Sequence, residues 1–563
     1  MGLTIAGSYA FLRLTEATMT NDFWWATFDL NNTQAYLCNW FNAQLITSFG
    51  QTTVRFNDLE RALLVTMENT TDPNINVAPA YANLIQDQVN SLPNVISALR
   101  NMNGCDLPWI FTAYCYVDFA QKWELANSLP RHERCRHRYA TNGAVYLEGL
   151  FRNNHDLALC WSEAWENAVF RALHEFNDGK NWLNKTFSAQ LSIDEEVQFW
   201  QDHEIKSYST QWQNFKLIGV IETVDVVSEF GFVYPLTLKR SNKTLQLSKQ
   251  TSYKTYWGLA GDLTAISTNG STIYGQSLVR QASNFAFRNV SLEAQLMANQ
   301  TLPAPLTDGL SLLRSKLGPF GSTDTYRVAV PLSLVMLYEN LTQTVTSLLA
   351  QSIDAQVDYW PLYDSTLVCP QPSEWDDSLF WGGDILCREQ PSPQPQVQLF
   401  FSSQGSCSIN VNEFVQLTPH IVLMAAMTSG LVHRLNESMS INAICRRATN
   451  MAEACKELLL SMKAIAEKYF TQDRIKSAYS AVLQIKLMDV DIQLFQYISR
   501  RNSPISISTP RLFDDIDFEF FEWIMLFEWT QGFREVVTFE GDVGQLTLMS
   551  TLYTPSTSPA NAM

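Results

Sequence analysis

Up to about residue 205, apolar side chains recur every three to four positions, the period of a helix with one buried face. Phe56, Leu59, Ala62 and Leu63 fall on one such stripe, and Trp161, Trp165, Val169 and Leu173 on another. Both predict core packing, since aromatic and aliphatic residues at helical spacing bury large apolar areas. The period then shortens. Residues 215–227 are rich in β-branched side chains, and residues 232–239 follow in the same style. These segments predict antiparallel strands, with Arg240-Ser-Asn-Lys as a polar turn that places Asn242 on a hairpin tip. From about residue 310 to 353 the pattern returns to helix.

Residues 366–410 read as a connector, because Pro370, Pro372, Pro391, Pro393 and Pro395 interrupt helices and central strands. Residues 421–432 are apolar throughout and predict a buried helix, its span of about 18 Å being short of the roughly 30 Å hydrocarbon layer. Asn450-Met-Ala-Glu453 resembles a capping box ahead of Cys455, Leu459, Met462, Ala466 and Tyr469 at helical steps. Residues 483–498 satisfy both periods, and the turn residues that follow favour a strand toward their end. Residues 505–508 alternate as a strand, and residues 536–539 and 545–548 predict a closing hairpin. The tail from about Pro555 is small and Pro/Ser-rich, a composition that predicts disorder.

The predicted class is α+β, with helical, cysteine-bearing segments alternating with antiparallel β-rich ones. The divisions are 1–205, mainly helical with five cysteines; 206–365, β-rich then helical; 366–410, the Cys/Pro-rich connector; and 411–563, helical, then hairpins and the tail. Each half runs from helices into strands, which hints at two related halves without a residue-level repeat.

Composition narrows the function classes. A net charge of −17 opposes contact with phosphate backbones, so nucleic-acid binding is excluded first. P-loop, G-x-G-x-x-G, H-E-x-x-H and G-x-S-x-G motifs are missing, and nothing in the chain calls for a cofactor or a metal. Ten cysteines, Cys38, Cys105, Cys115, Cys135, Cys160, Cys369, Cys387, Cys407, Cys445 and Cys455, contain no C-x-x-C pair and are read as disulfide candidates. A Cys369–Cys387 bridge would close a short loop worth roughly 3 kcal/mol. Nine sequons, at Asn31, Asn69, Asn184, Asn242, Asn269, Asn289, Asn299, Asn340 and Asn436, are candidate N-glycan acceptors. Residues 2–12 are apolar without a basic start, which predicts the end of a membrane helix rather than a signal peptide.

Among candidate binding residues, Arg131, Arg134 and Arg138 belong to a dense basic run able to grip an anionic group. His132, Cys135 and His137 lie in the same run but make a poor tetrahedral set. Trp375 and Trp381, like Trp24 and Trp25, sit in loop-like sequence where an indole stacks on a sugar or anchors a partner. The acidic cluster Asp514, Asp515, Asp517, Glu519, Glu522, Glu528 and Glu535, interleaved with Trp523 and Trp529, has the composition of a glycosidase site. Its plainer reading is an amphipathic segment with a solvated acidic side.

Several stretches resemble, as a set, large uncharacterised surface or membrane-anchored proteins predicted in water-mould (oomycete) genomes. They are residues 19–25 (MTNDFWW), 114–119 (YCYVDF) with 121–127 (QKWELAN), 142–148 (NGAVYLE), 211–216 (QWQNFK), 234–238 (YPLTL) and 533–542 (FREVVTFEGD). The resemblance implies an extracytoplasmic domain beside membrane spans that lie outside this sequence, and brings no activity or catalytic residues. The expectation is a cell-surface or secreted ectodomain with a binding or structural role, partnered by an extracellular protein or glycan. The alternative is a carbohydrate-active hydrolase using the acidic cluster.

Overall fold

The structure, a computed structural model, describes residues 90–110, 112–212, 216–227, 233–247, 258–362, 366–381, 391–396, 413–434, 439–471, 473–476, 478, 491–501 and 503–551. About 50% of the molecule is helix and 14% strand, in several small antiparallel sheets, an α+β class. The helix at Phe56 and the tail from Pro555 lie outside the described residues.

Two compact units divide the chain: Met1–Asn76 with Val220–Val226 and Pro235–Arg240, and Val77–Gly219 with Val227–Tyr234 and Ser241–Met563. The strands β1 (Lys216–Val227) and β2 (Val233–Leu247) form a two-stranded sheet. The few residues between them are too short for a parallel crossover, so the pair is antiparallel. β2 runs unbroken through Arg240 to Lys243, so Asn242 stands within a strand and not on a hairpin tip. Local β propensity in the flanking residues overrides the turn composition there.

In the second unit, strands far apart in the sequence share sheets. One sheet has the order β3 (Asp324–Val328), β10 (Arg534–Glu540), β11 (Gln545–Thr551), β7 (Ile492–Gln493). β10 is antiparallel to β3 and β11, and β7 adds in parallel beyond β11. Alternation along β10 explains why this sheet is buried on both sides. Val536 pairs with Met549 against one apolar cluster, while Val537 with Leu548 and Phe539 with Leu546 face a second. The predicted closing hairpin is this β10–β11 pair. Its turn is pressed against the end of the helix Asp308–Leu317, where Val543 N–H donates to Leu317 O at 3.0 Å. A Cβ on Gly541 would meet that carbonyl oxygen at 1.8 Å, so only glycine fits.

The larger cluster is helical. All ten residues of the helix Pro419–Thr428 are buried, as its unbroken apolar run predicts. The helix Ala452–Tyr469 packs beside it and buries Cys455, Leu459, Met462 and Ala466. Its expected capping box is not formed: Met451 is the N-cap, and Asn450 Oδ1 instead accepts the Cys369 N–H at 2.9 Å. The helix Leu332–Gln351 follows β3 as predicted, though β3 itself falls within the stretch read as helix. The stripe from Trp165 to Leu173 is buried, but its helix is interrupted by a π-turn at Glu166–Phe170.

Residues 366–381 are not a linker. β4 (Thr366–Val368) pairs with β6 (Val415–Leu417), and β5 (Leu379–Trp381) pairs with β8 (Gln496–Ser499), which pairs with β9 (Ser506–Ser508). The prolines fall between these three-residue strands, where no ladder hydrogen bond is needed. The strand expected late in residues 483–498 is β8, and β9 is the one expected at 505–508. Because β3 pairs with β10, a strand that precedes the predicted connector and a strand near the C-terminus share one sheet.

Candidate functional site

The basic run forms the helix Leu129–Arg138, capped by Ser128, whose hydroxyl accepts the Arg131 N–H. Arg131 and Arg134 point inward, while Arg138 reaches an acidic partner from the surface. Arg131 Nη2 donates to Asp324 Oδ1 at 2.6 Å, and Arg134 reaches Asp324 Oδ2 at 3.2 Å and Asp542 Oδ1 at 2.7 Å. Arg138 donates to Glu540 Oε1 at 2.8 Å, while the Tyr139 hydroxyl hydrogen-bonds the other Glu540 oxygen. Gln211 completes the shell of the fully buried Asp324. These guanidiniums bolt the N-terminal helices to β3 and the β10–β11 hairpin, and their charge is matched by carboxylates within the chain. His132 is buried with its Nε2 at 3.3 Å from Glu124, and His137 is exposed beside Glu133. Among the described residues no group of three or more His, Cys, Asp or Glu is arranged to hold a metal.

The loop tryptophans are core residues as well. Trp375 is 3% exposed and donates its indole N–H to Ser508 Oγ at 3.0 Å. Trp381 packs against the second cluster and donates to Ser499 Oγ at 3.0 Å. Short strands on either side draw both rings inward, which loop-like composition does not reveal. Trp24 and Trp25 lie outside the described residues.

The acidic cluster splits on folding: Asp514, Asp515 and Glu519 stay near Glu522, while Glu528 and Glu535 take partners elsewhere. The helix Glu519–Thr530 is buried on every side from Phe520 to Trp529, so no solvated acidic face exists and its tryptophans are packing rings. Glu522 accepts the Phe513 N–H at 2.8 Å, and burial, with Glu519 and Asp515 nearby, pushes its carboxyl well above the usual range. Glu528 pairs with the buried Arg534, which also holds Glu413 at 2.7 Å. Glu535 accepts the Trp212 indole N–H at 2.9 Å, and burial pushes its carboxyl up to about 7.

Three disulfides join described cysteines: Cys105–Cys160, Cys115–Cys135 and Cys445–Cys455. Such bridges are compatible with a secreted protein, since they persist where thiols are not kept reduced. Cys369 keeps a free, buried thiol, pushed up to about 11 by burial and then by Glu413, so the Cys369–Cys387 bridge is not made. Cys38, Cys387 and Cys407 lie outside the described residues, as do Asn31, Asn69 and Asn436. Asn184, Asn269, Asn289, Asn299 and Asn340 are all exposed. No described helix is long and apolar enough to cross a membrane.

A cavity of about 730 Å³, which the sequence did not point to, opens beside the helix Leu259–Ser267. This helix buries Leu259, Leu263 and Ile266 and turns Ala260, Gly261, Thr264, Ala265 and Thr268 to the cavity, the small side chains leaving the space. Gly270, at φ +93° in the turn after the helix, and Asn299 with Thr301 at the end of the helix Leu292–Ala298 form further wall. Trp109 supplies the large apolar surface and is 41% exposed. It ends the 3-10 turn Leu107–Trp109, which packs on the helix Leu259–Ser267. The Cys105–Cys160 bridge anchors that turn, and Trp161 adds an indole hydrogen bond to Cys105 O at 3.0 Å. None of the described wall residues is ionisable. The volume lies within the roughly 300–1,000 Å³ usual for small-molecule sites.

Compared with models of protein families, with curated proteins and with solved structures, the chain matches none.

Proposed function

We propose that this chain is an extracytoplasmic binding protein whose ligand site is the cavity walled by Trp109 and the helix Leu259–Ser267. One observation carries the reading: the turn that presents Trp109 to the cavity is stapled by the Cys105–Cys160 disulfide. A site assembled on a disulfide belongs to an oxidising compartment. Among the exposed sequon asparagines, Asn184, Asn289 and Asn340 lie off the cavity wall and support the same location, since a glycan at each would meet solvent and not the core. A cell-surface or secreted placement follows, with recognition rather than chemistry as the role of the site, because its described wall residues include no acid, base or nucleophilic thiol.

Non-reducing peptide mapping of protein from its native source, with and without glycan removal, tests this reading. The expected result is the three bridges, alkylation of Cys369 only after unfolding, and occupied sequons. Free thiols at Cys105 and Cys160 in the native protein would overturn it. On the same material, reduction of the Cys105–Cys160 bridge is expected to abolish ligand binding at the cavity.

A further inference from the structure

The chemistry of the cavity wall selects a class of ligand. Most of the polar side chains around it are already engaged. Thr264 Oγ1 donates to Ala260 O at 2.7 Å, and Thr268 Oγ1 to Thr264 O at 2.7 Å. Thr272 donates to Gln295 Oε1, and Gln295 Nε2 donates to Ser271 Oγ at 3.2 Å. Asn299 Oδ1 accepts the Thr301 N–H at 3.1 Å. Hydroxyls turned back onto their own helix leave methyl groups as the surface of that face. With Ala260, Ala265, Ala298 and the Trp109 ring, the wall therefore offers apolar area and few free donors.

We infer that the cavity takes an uncharged, mainly apolar small molecule, a neutral lipid-like or polycyclic compound with at most one small polar end, held against Trp109. The inference rests on the binding role proposed above and names its ligand. An ionic ligand would meet no counter-charge among the described wall residues, which is costly in a cavity lined by apolar and neutral groups. A saccharide would lose water from many hydroxyls and find the threonine donors spent. An apolar molecule loses nothing of that kind and gains from removal of its surface from water.

The test uses the full glycosylated chain and the neutral fluorophore Nile red, with 1-decanol and cholesterol as apolar competitors and N-acetylglucosamine and cellobiose as saccharide competitors. Nile red is expected to bind, to be displaced by the apolar competitors and to ignore the saccharides. Trp109→Ala and Ala265→Trp are each expected to weaken binding at least tenfold. Thr264→Val and Thr268→Val, which exchange an already engaged hydroxyl for a methyl group, are expected to change it less than twofold. Should Ala265→Trp fail to fold, Trp109→Ala decides, because that ring is partly exposed and its loss leaves the core intact. Nile red binding untouched by Trp109→Ala would place the probe elsewhere and overturn the inference. Saccharide binding abolished by the two threonine variants would overturn the ligand class while leaving the binding role standing. Binding of neither class would bring down both.

Discussion

Glu535 shows how one buried residue sets a property of the whole chain. It lies on the same face of β10 as Val537 and Phe539 and holds the Trp212 indole N–H. Its folded pKa is raised to about 7, above the ordinary value of 4.5, so between those pH values the folded state binds more protons than the unfolded one. Stability from this group is therefore fully present below pH 4.5 and falls as pH rises toward 7. Glu535→Gln keeps an acceptor for Trp212 without a charge. Its unfolding free energy from urea titration is expected to match the parent near pH 4 and exceed it at pH 8, by on the order of 3 kcal/mol. His420 acts at the other edge. Burial lowers its pKa to about 4, so the neutral ring contributes stability present above about 6.5 and lost as pH falls through the folded value. His420→Gln should flatten the fall in melting temperature between pH 6.5 and 4.

At the scale of elements, the critical junction is the helix Leu129–Arg138 against β3 and the β10–β11 turn. Asp324 stands between two guanidiniums with no exposure of its own. Asp324→Asn removes the charge but leaves both arginines in place, one of the costly ways to break a buried pair. A loss of about 3–5 kcal/mol in chemical denaturation is expected. A double substitution of Arg131 and Asp324 to apolar residues is expected to cost less than the single change, because it strands fewer charges. The hairpin turn is tested separately. Gly541→Ala puts a methyl group into the Leu317 carbonyl, and the melting temperature should drop by several degrees while the disulfide pattern stays unchanged.

For the molecule as a whole, the disulfides give a ranked expectation. Cys105–Cys160 spans 55 residues, Cys115–Cys135 spans 20 and Cys445–Cys455 spans 10. Loop-entropy reasoning assigns these about 4, 3 and 3 kcal/mol respectively. Paired Cys→Ser variants compared by urea titration should lose stability in that order. A larger loss from the shortest loop would show that packing around Cys445 and Cys455, both in the large cluster, outweighs chain entropy. The longest bridge also has the functional consequence: its removal should cost affinity at the cavity in excess of any loss of fold, since Trp109 depends on it.

The sequence by itself determined whatever depends on neighbours a few positions away. Ile421 to Met427 had to be buried because every side of that helix is apolar, and the β10–β11 hairpin was legible because alternation and a glycine-bearing turn are local signals. Cysteine spacing pointed to bridges but not to which cysteines pair, and Cys369, for which a bridge to Cys387 was one possibility, keeps a free thiol. Tertiary structure decided the rest, because the deciding partners are distant along the chain. Arg131 meets Asp324 193 residues away and Arg134 meets Asp542 408 residues away, so a run that reads as an exposed ligand grip becomes an internal clamp. Glu519 and Glu522 read as a pair by spacing, yet Glu522 turns inward because the whole helix is enclosed. The cavity was illegible for the same reason. Its floor is a helix of small residues, which in sequence carries no sign of its own, and only the turn ending in Trp109, brought across by a disulfide, makes it a site.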